Sequence, residues 1–317
     1  MHPAGTFARP DMDLDAVREV SLAVNATHLF VYFVPEAPEE AARLGVTEYA
    51  PAYFAFRSAP MGAVPWQVTL AVFYSFSPRS VRAMTGVWDT ATPKEWQAAR
   101  FAAVGRALRR VDAHLTADQL AEARSLIDPV VESADYAGKP MAAANASVPL
   151  PAAPLVALWQ QITVAREWRG DAHITVLAAN GLGPCDCNVL QTATGHFPEA
   201  IARATRLWDD EEVAAATARL VARGWLDADG TATDAGIAAR ERIEAETDEL
   251  CAALWTPIGD SGARRLTSLI LPVHDAFTAA GTYPFRVETG DRRSAAPEAA
   301  GQAPSSRGLD ARTGSAG

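Results

Sequence analysis

Lysine is nearly missing from this 317-residue chain: only Lys94 and Lys139 occur, so arginine carries almost all the positive charge. Cysteine is scarce as well. Cys185, Cys187 and Cys251 are too few, and odd in number, for a disulfide framework, which fits a reducing compartment. Cys185 and Cys187 have one residue between them and no second Cys/His pair at finger spacing, which argues against a structural zinc module. No apolar run reaches membrane-spanning length, and residues 1–15 are polar where a secretory signal needs an apolar core. The expected location is therefore the cytoplasm, with no membrane partner. Positive charge is in deficit too: Lys+Arg 28 against Asp+Glu 38 leaves a formal net charge of −10. Such a chain is repelled by phosphate backbones and anionic lipid unless its arginines gather locally. It has no phosphate loop, dinucleotide glycine fingerprint, Gly-x-Ser-x-Gly elbow or Cys-to-His nucleophile signature, so no cofactor is evident.

What is present is helical periodicity. Leu14, Val17, Val24, His28 and Val31 share one face of a first helix that should stop near Pro35. Residues 36–44 make a second, closed by Gly45 in the left-handed conformation. Thr92-Pro93-Lys94-Glu95 is a capping box with proline in the first turn, and Thr116 with Gln119 opens another helix in the same way. The stretch 68–76 alternates Val68, Leu70, Val72, Tyr74 and Phe76 as a strand would, yet its other residues include Ala71 and Phe73, so a buried helix fits equally. Composition divides the chain into a flexible start (1–13), a helical domain (14–136), an Ala/Pro/Gly/Ser-rich linker (137–154), a second domain (155–290) and a disordered tail (291–317).

The second domain contains an ordered pattern: a helix with Val213, Leu220 and Val221, then Arg223-Gly224, the turn Asp229-Gly230, and Thr233 capping a long helix. Residues 225–228 and 231–232 are expected to pair as two short strands. The order Leu220…Gly224…Leu226…Gly230…Thr233…Gly236 resembles the winged helix of the MarR repressor class. The segments Arg166-Glu167-Trp168-Arg169-Gly170-Asp171-Ala172-His173, Tyr53-Phe54-Ala55-Phe56-Arg57-Ser58 and Phe73-Tyr74-Ser75-Phe76-Ser77-Pro78 are similar to an actinobacterial family labelled helix-turn-helix, over about residues 14–280. The resemblance implies a mainly α fold: a helical N-terminal domain and a winged-helix-like, MarR-related C-terminal domain with a small β-hairpin wing. By analogy with MarR it also implies a homodimer. It implies no reaction, and it assigns no role to Cys185 and Cys187.

Fold does not decide function, so the surface must. The recognition helix of the resemblance would run from Asp210 to Arg223. It opens on Asp209, Asp210, Glu211 and Glu212, and its body is largely alanine; Arg219 and Arg223 are its only cations. Residues 206–240 hold four arginines against seven carboxylates. DNA binding, whose affinity comes largely from phosphate neutralisation, is disfavoured. The alternative is a MarR-like, ligand-responsive regulator reading DNA through Arg219 and Arg223.

The densest chemistry is at 166–173. Glu167 and Asp171 are four apart, as are Arg169 and His173, so each pair shares a face if the helix continues through Gly170. If Gly170 breaks it, Trp168, Asp171 and His173 turn into a cleft, where Asp171 orients His173 as the candidate catalytic pair, Arg169 clamps an anion and Trp168 stacks on the ligand. The plainer reading is an ion-pair network holding a helix in place. Arg57, alone in an apolar run, needs an acid such as Asp171 or Glu48, or an anionic ligand. His28 reads as a satisfied core residue. His28, His173 and Asp171 are the ligand types of a two-histidine, one-carboxylate centre, but nothing in their spacing asks for a metal and none is expected. The expected function is binding of a small anionic, aromatic molecule in a cleft of Arg57, Trp168, Arg169, Asp171, His173 and His28, with or without catalysis.

Overall fold

A computed structural model describes residues 11–290. The helices are α1 (Leu14–Leu29), α2 (Glu36–Arg43), α3 (Tyr49–Ser58), α4 (Trp66–Phe73), α5 (Pro78–Val81), α6 (Val87–Thr90), α7 (Pro93–Arg110), α8 (Ala117–Ser133), α9 (Pro140–Ala146), α10 (Pro154–Ala179), α11 (Pro184–Ala193), α12 (Glu199–Arg206), α13 (Asp210–Ala222), α14 (Asp234–Trp255) and α15 (Gly259–Ala279). The protein is mainly helical. Local chemistry places most of the ends. Thr92 and Thr116 complete capping boxes with Glu95 and Gln119 at the starts of α7 and α8. Gly45 ends α2 at a φ of 85°. The ambiguous 68–76 stretch resolves into α4, which stops at Tyr74 with φ 39°.

Helix α10 is the spine. It is apolar on nearly every side, as a helix buried all round must be, and it feeds three cores. Trp159 joins Phe30, Phe54, Trp96 and Phe277 in the first. Leu158, Ile162 and Trp168 join Val20, Ile127, Trp255 and Leu266 in the second. Val176 and Leu177 join Leu190, Leu220, Trp225 and Ile243 in the third. Burying each large apolar side chain contributes about 1.5–3 kcal/mol, so α10 ties the chain into one cooperative body.

Three expectations change. The stretch 137–154 is not an open linker: it folds as α9, with Met141, Ala142 and Asn145 buried and the Met141 and Ala142 amides donating to Asp171 Oδ2 at 3.0 Å. Nor do the halves part there, because α1 packs on α10, α14 and α15. Second, the apolar stripe of α15 is buried within the chain at Leu266, Leu269, Ile270, Val273 and Phe277, so a homodimer by the MarR analogy would have to use another surface. Third, the hairpin wing contracts to one antiparallel bridge, Leu226 with Ala232, and no strand forms among the described residues. The Asp227 carboxylate takes the amides of Asp229 and Thr231, making a tight side-chain turn, and Thr233 at once caps α14, which leaves too little chain for a ladder. Residues 291–317 and 1–10 lie outside the described residues; Asp13, expected in the flexible start, caps α1 and pairs with Arg264.

Candidate functional site

Helix α10 runs unbroken through Gly170, so residues 166–173 do not turn into a cleft; they radiate around the helix. Asp171 faces α9, capping it with both backbone donors, and burial pushes its carboxyl up to about 6. Trp168 Nε1 donates to Asp135 O at 2.9 Å, and its ring lies under Lys139. Arg169 and His173 point the other way, to α14. Arg169 pairs with Glu244 at 2.5 Å and Asp248 at 3.1 Å. His173 Nδ1 meets Thr247 Oγ1 at 3.0 Å; that hydroxyl spends its proton on Ile243 O, so the imidazole is the donor. Burial pushes His173 down to about 4. Asp171 therefore does not orient His173, and the two do not form a catalytic pair.

The structure brings a different set together, on the face of α10 that meets α1, α3 and α7. Arg57 makes a fork on Glu167, Nε to Oε1 at 3.3 Å and Nη2 to Oε2 at 3.0 Å, rather than pairing with Asp171 or Glu48. Arg166 adds a 2.9 Å bond to the same Oε1. Tyr53, one turn before Arg57, accepts from its Nη1 at 3.3 Å, and Phe73 lies 4.3 Å beneath the guanidinium. His28 is satisfied on both sides: Thr163 hands its proton to Trp159 O and accepts from Nδ1, leaving Nε2 to accept from Tyr32. Its ring stacks on Trp159, and burial holds it well below its ordinary value, hence neutral. Burial alone would raise Glu167, but Arg166 and Arg57 outweigh it and hold the carboxyl well below the usual range.

At the floor of this group is Arg100 of α7. It is 1% exposed, its guanidinium lies 4.9 Å from the Trp159 ring, and Nε, Nη1 and Nη2 have no hydrogen-bond partner among the described residues. On the same helix face the amide oxygen and nitrogen of Gln97 are buried and equally without a partner. Arg57 and Arg166 thus share one carboxylate, Glu167, and Arg100 has none among the described residues. Tyr32, Tyr53 and Arg166 retain partial exposure, so the cluster meets solvent at its rim. Sequence reasoning found Arg57 and His28 but missed Glu167, Arg166 and Arg100 as their companions. The signals were four-residue spacings: His28/Tyr32, Tyr53/Arg57 and Trp96/Arg100/Val104, the last placing an arginine in a buried stripe. His28, His173 and Asp171 lie on different contacts, and no group of three or more His, Cys, Asp or Glu among the described residues could hold a metal ion.

The segment 184–232 holds the helices α11, α12 and α13 and the Leu226–Ala232 bridge. Helices α12 and α13 join through Leu207, Trp208 and Asp209, with Leu207 at φ 52°. Both candidate DNA contacts are engaged inside the chain. Arg219 holds Asp186 at 2.6 Å, while Arg223 donates to the Asn180 and Gly181 carbonyls and stacks 3.7 Å over Trp225. The start of α13 is held by the N-terminal half: Arg79 reaches Asp209 and Glu212, both at 3.1 Å, and Ser75 O accepts from Trp208 Nε1 and Asn188 Nδ2. A concavity of about 270 Å³ lies beside it, lined by Cys185, Trp208, Glu212 and Arg219, its one cation neutralised by Asp186. Burial pushes the Cys185 and Cys187 thiols up to about 11 and 12, which leaves both inert as nucleophiles. No helix among the described residues is long and apolar enough to cross a membrane.

A mainly helical protein is the class this architecture defines. Residues 17–284 match the family model described as helix-turn-helix family, and the chain belongs to that family. No curated protein and no solved structure matches it.

Proposed function

We propose that this protein binds a small anionic molecule with a flat apolar body at the Arg57–Arg100–Arg166 cluster, and that its helix-turn-helix module is a scaffold rather than a DNA reader. The observation that carries the reading is Arg100. A guanidinium offers five N–H donors, and burying it without acceptors is costly unless a partner repays the desolvation. An anion seated between Arg100 and the Arg57/Arg166 pair would supply those acceptors, with Tyr32, Tyr53, Phe73 and Trp159 as aromatic walls. Binding rather than turnover is what these groups favour: Glu167 is held ionised by two arginines, and His28 is neutral with both nitrogens engaged.

Family membership favours a second reading, a DNA-binding regulator. Against it stand the carboxylates at the start of α13 and the internal engagement of Arg219 and Arg223. Titration calorimetry of the full chain with benzoate and 2-naphthoate tests the first reading. Because a charge-assisted hydrogen bond is worth about 1.5–3 kcal/mol, Arg100→Met and Arg57→Ala are expected to weaken binding at least about tenfold, and His173→Ala to leave it unchanged. Equal binding by all four proteins, or none by the wild type, overturns it. A gel shift on the protein's own upstream DNA tests the second: retention that is sequence-specific, salt-sensitive and lost in Arg219→Ala would establish the regulator instead.

A further inference from the structure

A fourth arginine stands next to this cluster. Arg206, the last residue of α12, lies 4.0 Å over the Phe76 ring and 5.1 Å from that of Phe197. Its Nη1 donates to Thr205 Oγ1 at 2.8 Å, but its Nε is buried without a hydrogen-bond partner, and no carboxylate pairs with it among the described residues. Phe76 is the ring neighbour of Phe73, at 5.9 Å, and of Tyr53, at 5.7 Å. Arg57 occupies the Phe73 ring of that same trio. Two guanidiniums thus sit on adjacent rings of one aromatic platform, close enough that Arg57 repels Arg206, and burial already disfavours the charge on Arg206. Counting Arg57, Arg100, Arg166 and Arg206 against Glu167 gives four cations and one carboxylate, inside a protein whose net charge is −10. One bound carboxylate would answer the inner arginines and leave the repulsion from Arg206 standing.

We infer that the ligand carries two anionic groups, one held by Arg57 and Arg100 and the other by Arg206. This rests on the anion-binding reading above and names the ligand class: a planar aromatic or conjugated diacid rather than a monoacid. It also gives a use to residues 73–76, which carry two of the three rings and anchor to the helix-turn-helix through Ser75 O and the Tyr74 hydroxyl bond to Leu182 O. The module then contributes Arg206 to the binding site from the very turn that would otherwise approach DNA.

Matched ligand pairs separate this inference from the reading beneath it. Calorimetry at fixed ionic strength compares terephthalate with benzoate, and 2,6-naphthalenedicarboxylate with 2-naphthoate, on wild type, Arg206→Met, Arg206→Lys and Arg100→Met. One additional charge-assisted contact predicts a diacid preference of at least about tenfold in wild type. Arg206→Met should abolish that preference, Arg206→Lys should keep part of it, and Arg100→Met should weaken both acids. Monoacid binding that depends on Arg100 but shows no diacid preference, or a preference that survives Arg206→Met, overturns the two-anion inference and leaves the simpler reading intact. Failure of every acid to bind wild type overturns both.

Discussion

Two groups of arginines flank the same stretch of α10, and they are built differently. On one side Arg169 is joined by Arg18 and Arg240, answered by Glu241, Glu244 and Asp248: three cations and three carboxylates in contact. On the other, one turn away, Glu167 answers Arg57 and Arg166, and Arg100 has no carboxylate partner among the described residues. The first group is what a fold needs to lock α10 to α14. Its charges are matched, and burial is offset by ion pairs that hold Glu244 well below the ordinary carboxylate range. The second carries more positive charge than its one carboxylate answers, and the proposed anion site rests on that surplus. The difference teaches that a buried arginine is not informative by itself; its surplus over nearby carboxylate is.

The comparison can be broken at either group. The largest effects come from removing a partner that leaves opposite charges buried. Glu167→Gln, which strands Arg57 and Arg166, should cost about 3–5 kcal/mol in urea unfolding, and Arg169→Met, which leaves Glu244 to Arg240 and Asp248 to Arg18, should cost less. Benzoate should restore part of the loss in Glu167→Gln and none in Arg169→Met, since only the first creates an anion deficit; equal responses would erase the distinction. Next comes the third core. A Cβ added at Gly236 would lie 2.0 Å from Trp225 O, so Gly236→Ala should cost about 3 kcal/mol, with protection from hydrogen exchange lost first around Leu220, Trp225 and Ile243.

The pH dependence sharpens the matched side. Asp171, raised to about 6 mainly by burial, binds its proton more readily folded than unfolded, so its contribution is full below about pH 4 and lost as pH rises to 6. His173, lowered to about 4 by burial, contributes fully above about pH 6.5 and loses that as pH falls to 4. In wild type the slopes oppose. Asp171→Asn should uncover the histidine slope, losing about 2–3 kcal/mol on acidification from pH 6.5 to 4, and His173→Gln should uncover the reverse. A flat profile in both variants would contradict these environments. The smallest effect is expected at the module's outer face, where Arg219→Ala and Arg223→Ala should leave retention of DNA at low salt unchanged.

Much of the scaffold was legible in the chain because it depends on local chemistry. Thr92, Thr116, Gly45 and Thr233 mark helix ends through bonds to residues three or four away. The order from Leu220 to Gly236, read as a winged helix, gave the ends of α13 and α14 but not a hairpin wing, of which only the Leu226–Ala232 bridge forms. What was not legible depends on distant partners. Arg57 finds Glu167 across 110 residues, and α9 is ordered by Asp171, which no local pattern around Met141 announces. Residues 68–76 had strand alternation, yet packing of Val72 and Phe73 against α3 and its neighbours decided for a helix. His28 was read as a satisfied core residue and Arg57 as an arginine needing a partner in apolar surroundings, and both are buried with partners. Trp168, Arg169, Asp171 and His173 were grouped by proximity in sequence, and an unbroken helix spreads such residues to different neighbours.

The most direct test is the unfolding free energy of Arg100→Met, measured in urea with and without saturating 2-naphthoate. If Arg100 is kept for a ligand rather than for the fold, the variant without ligand is more stable than wild type by about 1–4 kcal/mol, as when buried charge is replaced by apolar volume. Ligand at 100 times the wild-type Kd then stabilises wild type by about 2.7 kcal/mol and leaves the variant unmoved. A variant less stable than wild type and equally stabilised by the ligand would show that Arg100 serves packing alone.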